Sequence, residues 1–208
     1  SNKELDKIKG IFSSVNVALK RKNMYFNAMA NSKRKDSKGG PYVPLKIKLD
    51  DPRIEDKVSA IFKSVDDIEY YREVMLSVPL GKPVWSYWVT SRYGTRSDPF
   101  KKTKARHKGV DLASRTGNKV NVKGQGKVIR AEYAGAYGNL VVVDHGNGFQ
   151  TKYAHLNKIY VKKGDRLEIN DTVGEVGSTG RSTGPHLHYE VLYKGVNVDP
   201  LPFLKAKI

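Results

Sequence analysis

The first part of the chain repeats apolar residues at helical spacing. From Lys3 to about Ala30 they recur every three or four positions, which is typical of a helix with one apolar face. A polar, basic stretch over 31–40 predicts a loop. A second helix is expected over about 52–76, with Asp51 as its N-cap and Pro52 at the first helical position. Its apolar stripe predicts a packing surface and not a ligand site.

After Gly81 the pattern changes to short apolar or alternating runs separated by Gly, Asn and Asp. Such runs predict strands joined by turns. The runs are Val120–Val122, Lys127–Ala131, Leu140–Val143, Gln150–Tyr153, Thr172–Val176 and His188–Tyr193. We therefore expect a mainly β fold, in which an antiparallel β domain with a groove occupies residues 81–208. An α-helical N-terminal region over 1–80 is expected to precede it. This region could pack on the β domain, pair as a coiled coil, or space the domain from a membrane anchor.

The composition sets outer bounds on the class of protein. A chain of 208 residues has room for one or two domains with a real core. It has no run of about 20 apolar residues and no visible signal peptide. Because Ser1 leads almost directly into the helical pattern, we expect the natural protein to start further upstream, and a membrane anchor there stays open. The absence of cysteine excludes disulfides and thiolate zinc sites.

The charge is strongly basic and unevenly distributed. The formal net charge is +17, and residues 101–130 contain ten Lys and Arg against one Asp. A basic surface attracts polyanions, so nucleic acid is one candidate partner. The basic residues are scattered through short strands and loops with no recognisable nucleic-acid module, so we expect no nucleic-acid partner. An anionic cell wall, an anionic lipid surface or a simple contribution to solubility explains the charge equally well.

A small set of histidines carries the candidate chemistry. On a strand, His186 and His188 point to the same face and present two imidazoles to one cleft. His107 and Asp111 add further nitrogen and oxygen ligands. A catalytic zinc needs three such ligands and an open position for water. Each pair alone is weak support, because single histidines are often structural, but together they predict a zinc hydrolase. His145 lies in a glycine-rich turn and is expected to have a structural role.

Several motifs occur in an order that resembles the lysostaphin/LytM-type zinc metallopeptidases, which cut peptidoglycan cross-links. The resemblance covers about residues 81–204. The motifs are His107-x-x-x-Asp111, Tyr137-Gly138-Asn139, Asp144-His145-Gly146-Asn147-Gly148, Tyr153-Ala154-His155-Leu156, the loop Gly177–Gly184, and Pro185-His186-Leu187-His188. Five positions carry the family's functional residues, and none of them departs from the family pattern. They are His107, Asp111, His155, His186 and His188.

The resemblance implies a role for each of these residues. The metal ligands would be His107, Asp111 and His188, holding one Zn²⁺ per chain. The catalytic pair would be His155 and His186, and which of them is the base stays open. Tyr93, Arg96 and Arg106 are candidates for substrate binding, with turn formation and surface solvation as the alternative.

The implied activity is that of a zinc metalloendopeptidase acting on peptidoglycan. Metal-activated water would hydrolyse peptide cross-links, with D-amino-acid bonds the expected target, in a bacterial envelope that is periplasmic or extracellular. The bond cleaved, the oligomeric state and the regulatory partners are not readable from the sequence.

Three alternatives remain at this point. The chain can be a non-catalytic wall-binding module that activates another hydrolase, although the intact His/Asp set argues against this. It can be a basic nucleic-acid-binding protein. Within the enzyme hypothesis, the region 1–80 can cover the groove and place an Asn or Asp at the open zinc position.

Overall fold

The structure, a computed structural model, describes residues 67–68, 70–97 and 103–206. The helix α1 covers residues 70–77 and agrees in its end with the second predicted helix. The remaining N-terminal predictions lie outside the described residues. They are the helix from Lys3, the loop over 31–40, the start of the second helix at Asp51, and the covered groove.

Beyond α1 the described chain is mostly strand, as expected for a mainly β fold. The strands are β1 (Trp88–Ser91), β2 (Gly94–Ser97), β3 (Lys104–His107), β4 (Val110–Ala113), β5 (Lys119–Asn121), β6 (Gly126–Tyr133), β7 (Asn139–Gly146), β8 (Phe149–Leu156), β9 (Arg166–Leu167), β10 (Thr172–Glu175), β11 (His186–Tyr193) and β12 (Val196–Val198). A 3-10 turn at Gly135–Tyr137 and a short helix α2 (Leu201–Lys205) complete them. Each predicted run falls on a strand of the structure, within three residues at its ends.

One antiparallel sheet forms the body of the domain. Its strands lie in the order β1-β4-β11-β8-β7-β6-β9, and β12 pairs with β11. Two small sheets, β10-β5 and β2-β3, accompany it. Because β11 pairs with both β4 and β8, these three strands place Asp111, His155, His186 and His188 in one part of the sheet.

The alternation of β11 separates a core face from an open face. Leu187, Tyr189 and Val191 are fully buried in the main hydrophobic core, while His186, His188 and Glu190 alternate with them and face the opposite side. Further core residues come from in and around the small sheet β10-β5, from the segment before β1 and from α2. They are Val120, Val122, Val173, Val176, Val84 and Phe203.

The segment before Gly81 is tied to this core. Val74, Val78 and Leu80 belong to the same buried cluster. The backbone N–H of Gln125 donates to the carbonyl of Leu76 at 2.8 Å. The domain boundary at residues 80/81 stays a prediction, but at least the last turns of the N-terminal region pack on the β domain. Among the described residues no helix is long and apolar enough to cross a membrane.

Candidate metal centre

Strand register brings three candidate ligands together. His188 on β11 lies directly opposite Asp111 on β4, and His107 ends the neighbouring hairpin strand β3. The distances are 3.1 Å from His107 Nε2 to Asp111 Oδ1, 3.1 Å from His107 Nε2 to His188 Nδ1, and 2.8 Å from His188 Nδ1 to Asp111 Oδ1. All three residues are buried. One nitrogen or oxygen atom from each therefore points at a common centre.

A hydrogen bond at Nδ1 of His107 determines which nitrogen of the ring can bind a metal. Its Nδ1 lies 2.8 Å from the carbonyl oxygen of Arg92, which can only accept a hydrogen bond. Nδ1 therefore carries the proton in the neutral ring, and Nε2 presents its lone pair inward. Ligating histidines in metal proteins are held in this way by a partner on the other ring nitrogen.

His188 is held between two carboxylates. Nδ1 faces Asp111, and Nε2 lies 3.1 Å from Oε1 of Glu190, which is fully buried. Burial alone would lower the pKa of His188, but the hydrogen bonds and charges of Asp111 and Glu190 outweigh it and raise this pKa. A cation at the centre would replace the proton on Nδ1, while Glu190 keeps the proton on Nε2.

Arg96 engages the second oxygen of Asp111. Its Nη1 donates to Oδ2 at 3.0 Å and to the hydroxyl of Ser91 at 2.6 Å. Burial alone would raise the pKa of Asp111, but the hydrogen bonds to His107 and His188 outweigh it and hold the pKa well below its usual range. The carboxylate is thus ionised, with Oδ1 turned to the two imidazoles. Two imidazoles and a carboxylate that converge at these distances suit a tetrahedral zinc with one position left for water.

A backbone irregularity brings His155 to the same face. On β8 the neighbouring Ala154 lies opposite His188, so regular alternation would turn His155 into the core. Between Asn139 and Val141 of β7 the register advances two residues while β8 advances three, and His155 has a positive φ of 60°. This extra residue is a β-bulge, a feature that redirects side chains next to active sites.

His155 and His186 form a second pair beside the ligands. Their ring centroids are 4.8 Å apart, and His186 Nε2 lies 3.7 Å from Asp111 Oδ1. His155 Nδ1 donates to the carbonyl of Thr179 at 2.8 Å, and His186 Nδ1 donates to the carbonyl of Gly184 at 2.7 Å. In both rings Nε2 is therefore the nitrogen that remains to exchange a proton.

The position of His155 also makes it a weak base. Burial, together with the nearby imidazoles of His186 and His188, lowers its pKa to about 4, against the hydrogen bond to Thr179 and the charge of Asp111. His155 is consequently neutral at pH 7 and able to accept a proton.

These side chains line an open cleft of about 320 Å³. Its walls come from the edge strand β1, the 3-10 turn and the glycine-rich loop 177–184. The lining residues are Thr90, Ser91, Arg96, Asp111, Ala136, Tyr137, His155, Arg181, Ser182, Thr183, His186 and His188. The loop 177–184 contributes Arg181, Ser182 and Thr183 to this lining.

The three predicted substrate-binding residues have different positions. Arg96 lines the cleft, although its guanidinium is engaged with Asp111. The hydroxyl of Tyr93 donates to the carbonyl of Asn197 at 2.9 Å, and Arg106 donates to that hydroxyl at 2.9 Å. Tyr93 and Arg106 are thus joined to each other and to β12, outside the lining of the cleft. Substrate binding by any of the three stays a prediction.

Sequence reasoning missed Glu190, and it did not reveal that Arg96 binds the carboxylate of Asp111. Glu190 is two residues beyond His188 on the same strand, so the alternation that pairs His186 with His188 also places this carboxylate on the open face. The alternation along this strand therefore could have identified Glu190 from the sequence. His145, in contrast, is buried away from the cleft, where Nδ1 donates to the carbonyl of Gln125 at 2.9 Å and Nε2 lies 2.8 Å from the Thr151 hydroxyl.

Comparison with known proteins places this fold and donor set in one class. The sequence model of Peptidase family M23 matches residues 105–200, which include all three candidate ligands and both further histidines. The catalytic domain of lysostaphin from Staphylococcus simulans is 32% identical with a TM-score of 0.53, and the match covers 57% of this chain and 92% of that domain. The chain therefore belongs to Peptidase family M23.

Two further proteins are similar to the same part of the chain. The peptidoglycan DD-endopeptidase ShyA of Vibrio cholerae is 41% identical over 128 residues, which is 61% of this chain and 29% of ShyA. A zinc-containing peptidase from Vibrio cholerae is 36% identical with a TM-score of 0.53, covering 64% of this chain and 40% of that one. The chain thus spans less than a third of the length of ShyA.

Proposed function

We propose that the domain is a zinc-dependent metalloendopeptidase that hydrolyses peptide cross-links of bacterial peptidoglycan, with D-amino-acid bonds as the target. The observation that carries this proposal is the convergence of His107 Nε2, Asp111 Oδ1 and His188 Nδ1 within 3.1 Å of one another, beside two further histidines in an open cleft. Relatives that are named peptidoglycan DD-endopeptidases support the choice of substrate.

His107, Asp111 and His188 would hold one zinc ion per chain. A bound zinc ion lowers the pKa of its water from 15.7 toward about 7 and polarises the scissile carbonyl. The protein residues then supply proton transfer and positioning. His155 or the adjacent His186 can take a proton from the water on its Nε2, and the same ring, now protonated, can donate to the developing oxyanion or pass that proton to the leaving amine.

The open cleft suits a flexible, extended substrate. It lies on the exposed face of the sheet, and a peptide can cross it between β1 and the loop 177–184 without burying its ends. The action of the protein on peptidoglycan implies a location in the bacterial envelope, periplasmic or extracellular, where the basic surface would meet an anionic wall.

Metal content and product analysis test this proposal together. We expect about one zinc per chain, release of peptides from purified peptidoglycan, and loss of this release with a chelator. Mass spectrometry of the products identifies the bond that is cut. A protein that binds no zinc and releases no product while stimulating another wall hydrolase would contradict the proposal and favour the activator module.

A further inference from the structure

An exposed tryptophan lies in line with the catalytic face. Trp88, on the edge strand β1, pairs with Ala113 of β4, and Ala113 pairs in turn with His186 of β11. Residues directly opposite each other in antiparallel strands have side chains on the same face of the sheet. Trp88 is therefore on the face that holds His186, although 67% of it is exposed.

Trp88 lies beyond the edge of the cleft, on the same face of the sheet. Thr90, two residues further along β1, lines the cleft and donates from its hydroxyl to the carbonyl of Asp111 at 3.2 Å. Two interstrand spacings separate Trp88 from His186, which is about 10 Å between their Cα atoms. A substrate that leaves the cleft over β1 would reach the indole next.

We propose that Trp88 is a subsite for a saccharide ring of the glycan strand to which the cleaved peptide is attached. This inference rests on the proposed function. The stem peptides of peptidoglycan consist mainly of alanine and charged residues, none with a large apolar side chain to match an indole. The C–H faces of the sugar rings are the extended apolar surfaces of this polymer, and an aromatic ring is a large, rigid platform for them.

The test compares two substrates that differ only in their sugars. One is a cross-linked dimer of disaccharide peptides, and the other is the same peptide dimer after an amidase has removed the sugars. For Trp88→Ala we expect KM to rise about two- to tenfold on the sugar-bearing dimer and to stay unchanged on the bare dimer. Trp88→Phe should keep most of the affinity, while Trp88→Leu should not.

A matched control is Ile129→Ala, which shortens another exposed apolar residue on β6, three strands away from β11. It should leave KM unchanged on both dimers. Equal losses of Trp88→Ala on both dimers, or no loss on either, would overturn the saccharide subsite.

A binding measurement keeps the inference separate from the proposed function. If wild-type protein cuts neither dimer, the proposed function fails. The indole N–H signal of Trp88, assigned from its absence in Trp88→Phe, is then followed as peptide-free glycan chains are added. A saturable shift supports the subsite, and an unchanged signal overturns it.

Discussion

Glu190 Oε1 accepts a hydrogen bond from Nε2 of His188 at 3.1 Å, on the side of the ring opposite the metal centre. The same oxygen accepts the hydroxyl of Tyr137 at 2.8 Å, and Lys152 lies 3.1 Å from the other oxygen. Burial alone would raise the pKa of Glu190, but its contact with His188 and its further partners bring this pKa to about 2. An ionised, fully buried carboxylate therefore orients both the candidate ligand His188 and Tyr137 in the wall of the cleft.

Replacing Glu190 by Gln should weaken zinc binding. The amide has the shape of the carboxylate but no charge, so the His188 ring loses orientation and basicity. Partners of this kind typically contribute about 10- to 100-fold in metal affinity. We expect a loss of this size in a competition titration with a chromophoric chelator.

The control for this variant is Glu132→Gln, because Glu132 is paired with Arg130 on the exposed part of β6. Thermal unfolding of the metal-free proteins separates loss of fold from loss of affinity. The double variant Glu190→Gln/Lys152→Met removes the unpaired lysine charge, and it should regain stability without regaining zinc affinity. Unchanged zinc affinity in Glu190→Gln would mean that Glu190 serves packing alone.

Substitution of a candidate metal ligand and substitution of His155 should have different effects on zinc binding. His107→Ala removes one of three converging ligands, so zinc and peptidoglycan hydrolysis should both be lost. His155→Ala leaves the three ligands in place, so zinc should remain at about one per chain while hydrolysis falls by at least about 100-fold. Metal analysis and turnover are measured on the same samples. Normal turnover of His155→Ala would refute its role in proton transfer.

The strands were accessible from sequence through local periodicity, and the candidate ligands through periodicity together with the family resemblance. Alternation along β11 identifies the strand and puts His186 and His188 on one face. The resemblance adds His107 and Asp111 through their spacing. Strand pairing then brings Asp111 opposite His188, a relation that agrees with the roles assigned by family pattern.

Features that depend on long-range geometry were not accessible in the same way. The bulge that turns His155 out of the core arises from pairing between β7 and β8, and alternation by itself would have buried this residue. Arg96 reaches Asp111 across 15 positions in the chain, and Tyr93 reaches Asn197 across 104. Such contacts depend on how strands are arranged, so short motifs do not reveal them.

Adding a methyl group at Gly138 should impair catalysis without removing zinc. Gly138 has a φ of 62°, and a Cβ there would overlap the backbone and hydroxyl of Thr179. Thr179 must then shift, and its carbonyl is the acceptor that orients His155. Because a displacement of about 1 Å near a reacting group can cost up to about 100-fold in rate, we expect kcat of Gly138→Ala to fall by about 10- to 100-fold.

Gly135 offers a matched control in the same turn. It also has a positive φ, 52°, but a Cβ there meets no atom within 4 Å. Gly135→Ala therefore carries the backbone strain of about 1–2 kcal/mol without the collision. Equal losses of kcat in the two variants would show that strain of the turn, and not displacement of Thr179, limits the reaction.

His145 should make the stability of the domain depend on pH. Burial lowers its pKa below the usual value of about 6.5, against hydrogen bonds to Gln125 and Gly124 and the charge of Asp144. The unfolded chain consequently binds more protons than the folded one between the two pKa values, and stability falls as pH decreases through about 6.5.

His145→Gln removes this titration. Urea unfolding of metal-free protein at pH 7.5, 6.5 and 5.5 should show the wild-type advantage over the variant shrinking by at most about 1.4 kcal/mol per pH unit. An advantage that stays constant over this range would contradict a depressed pKa for His145.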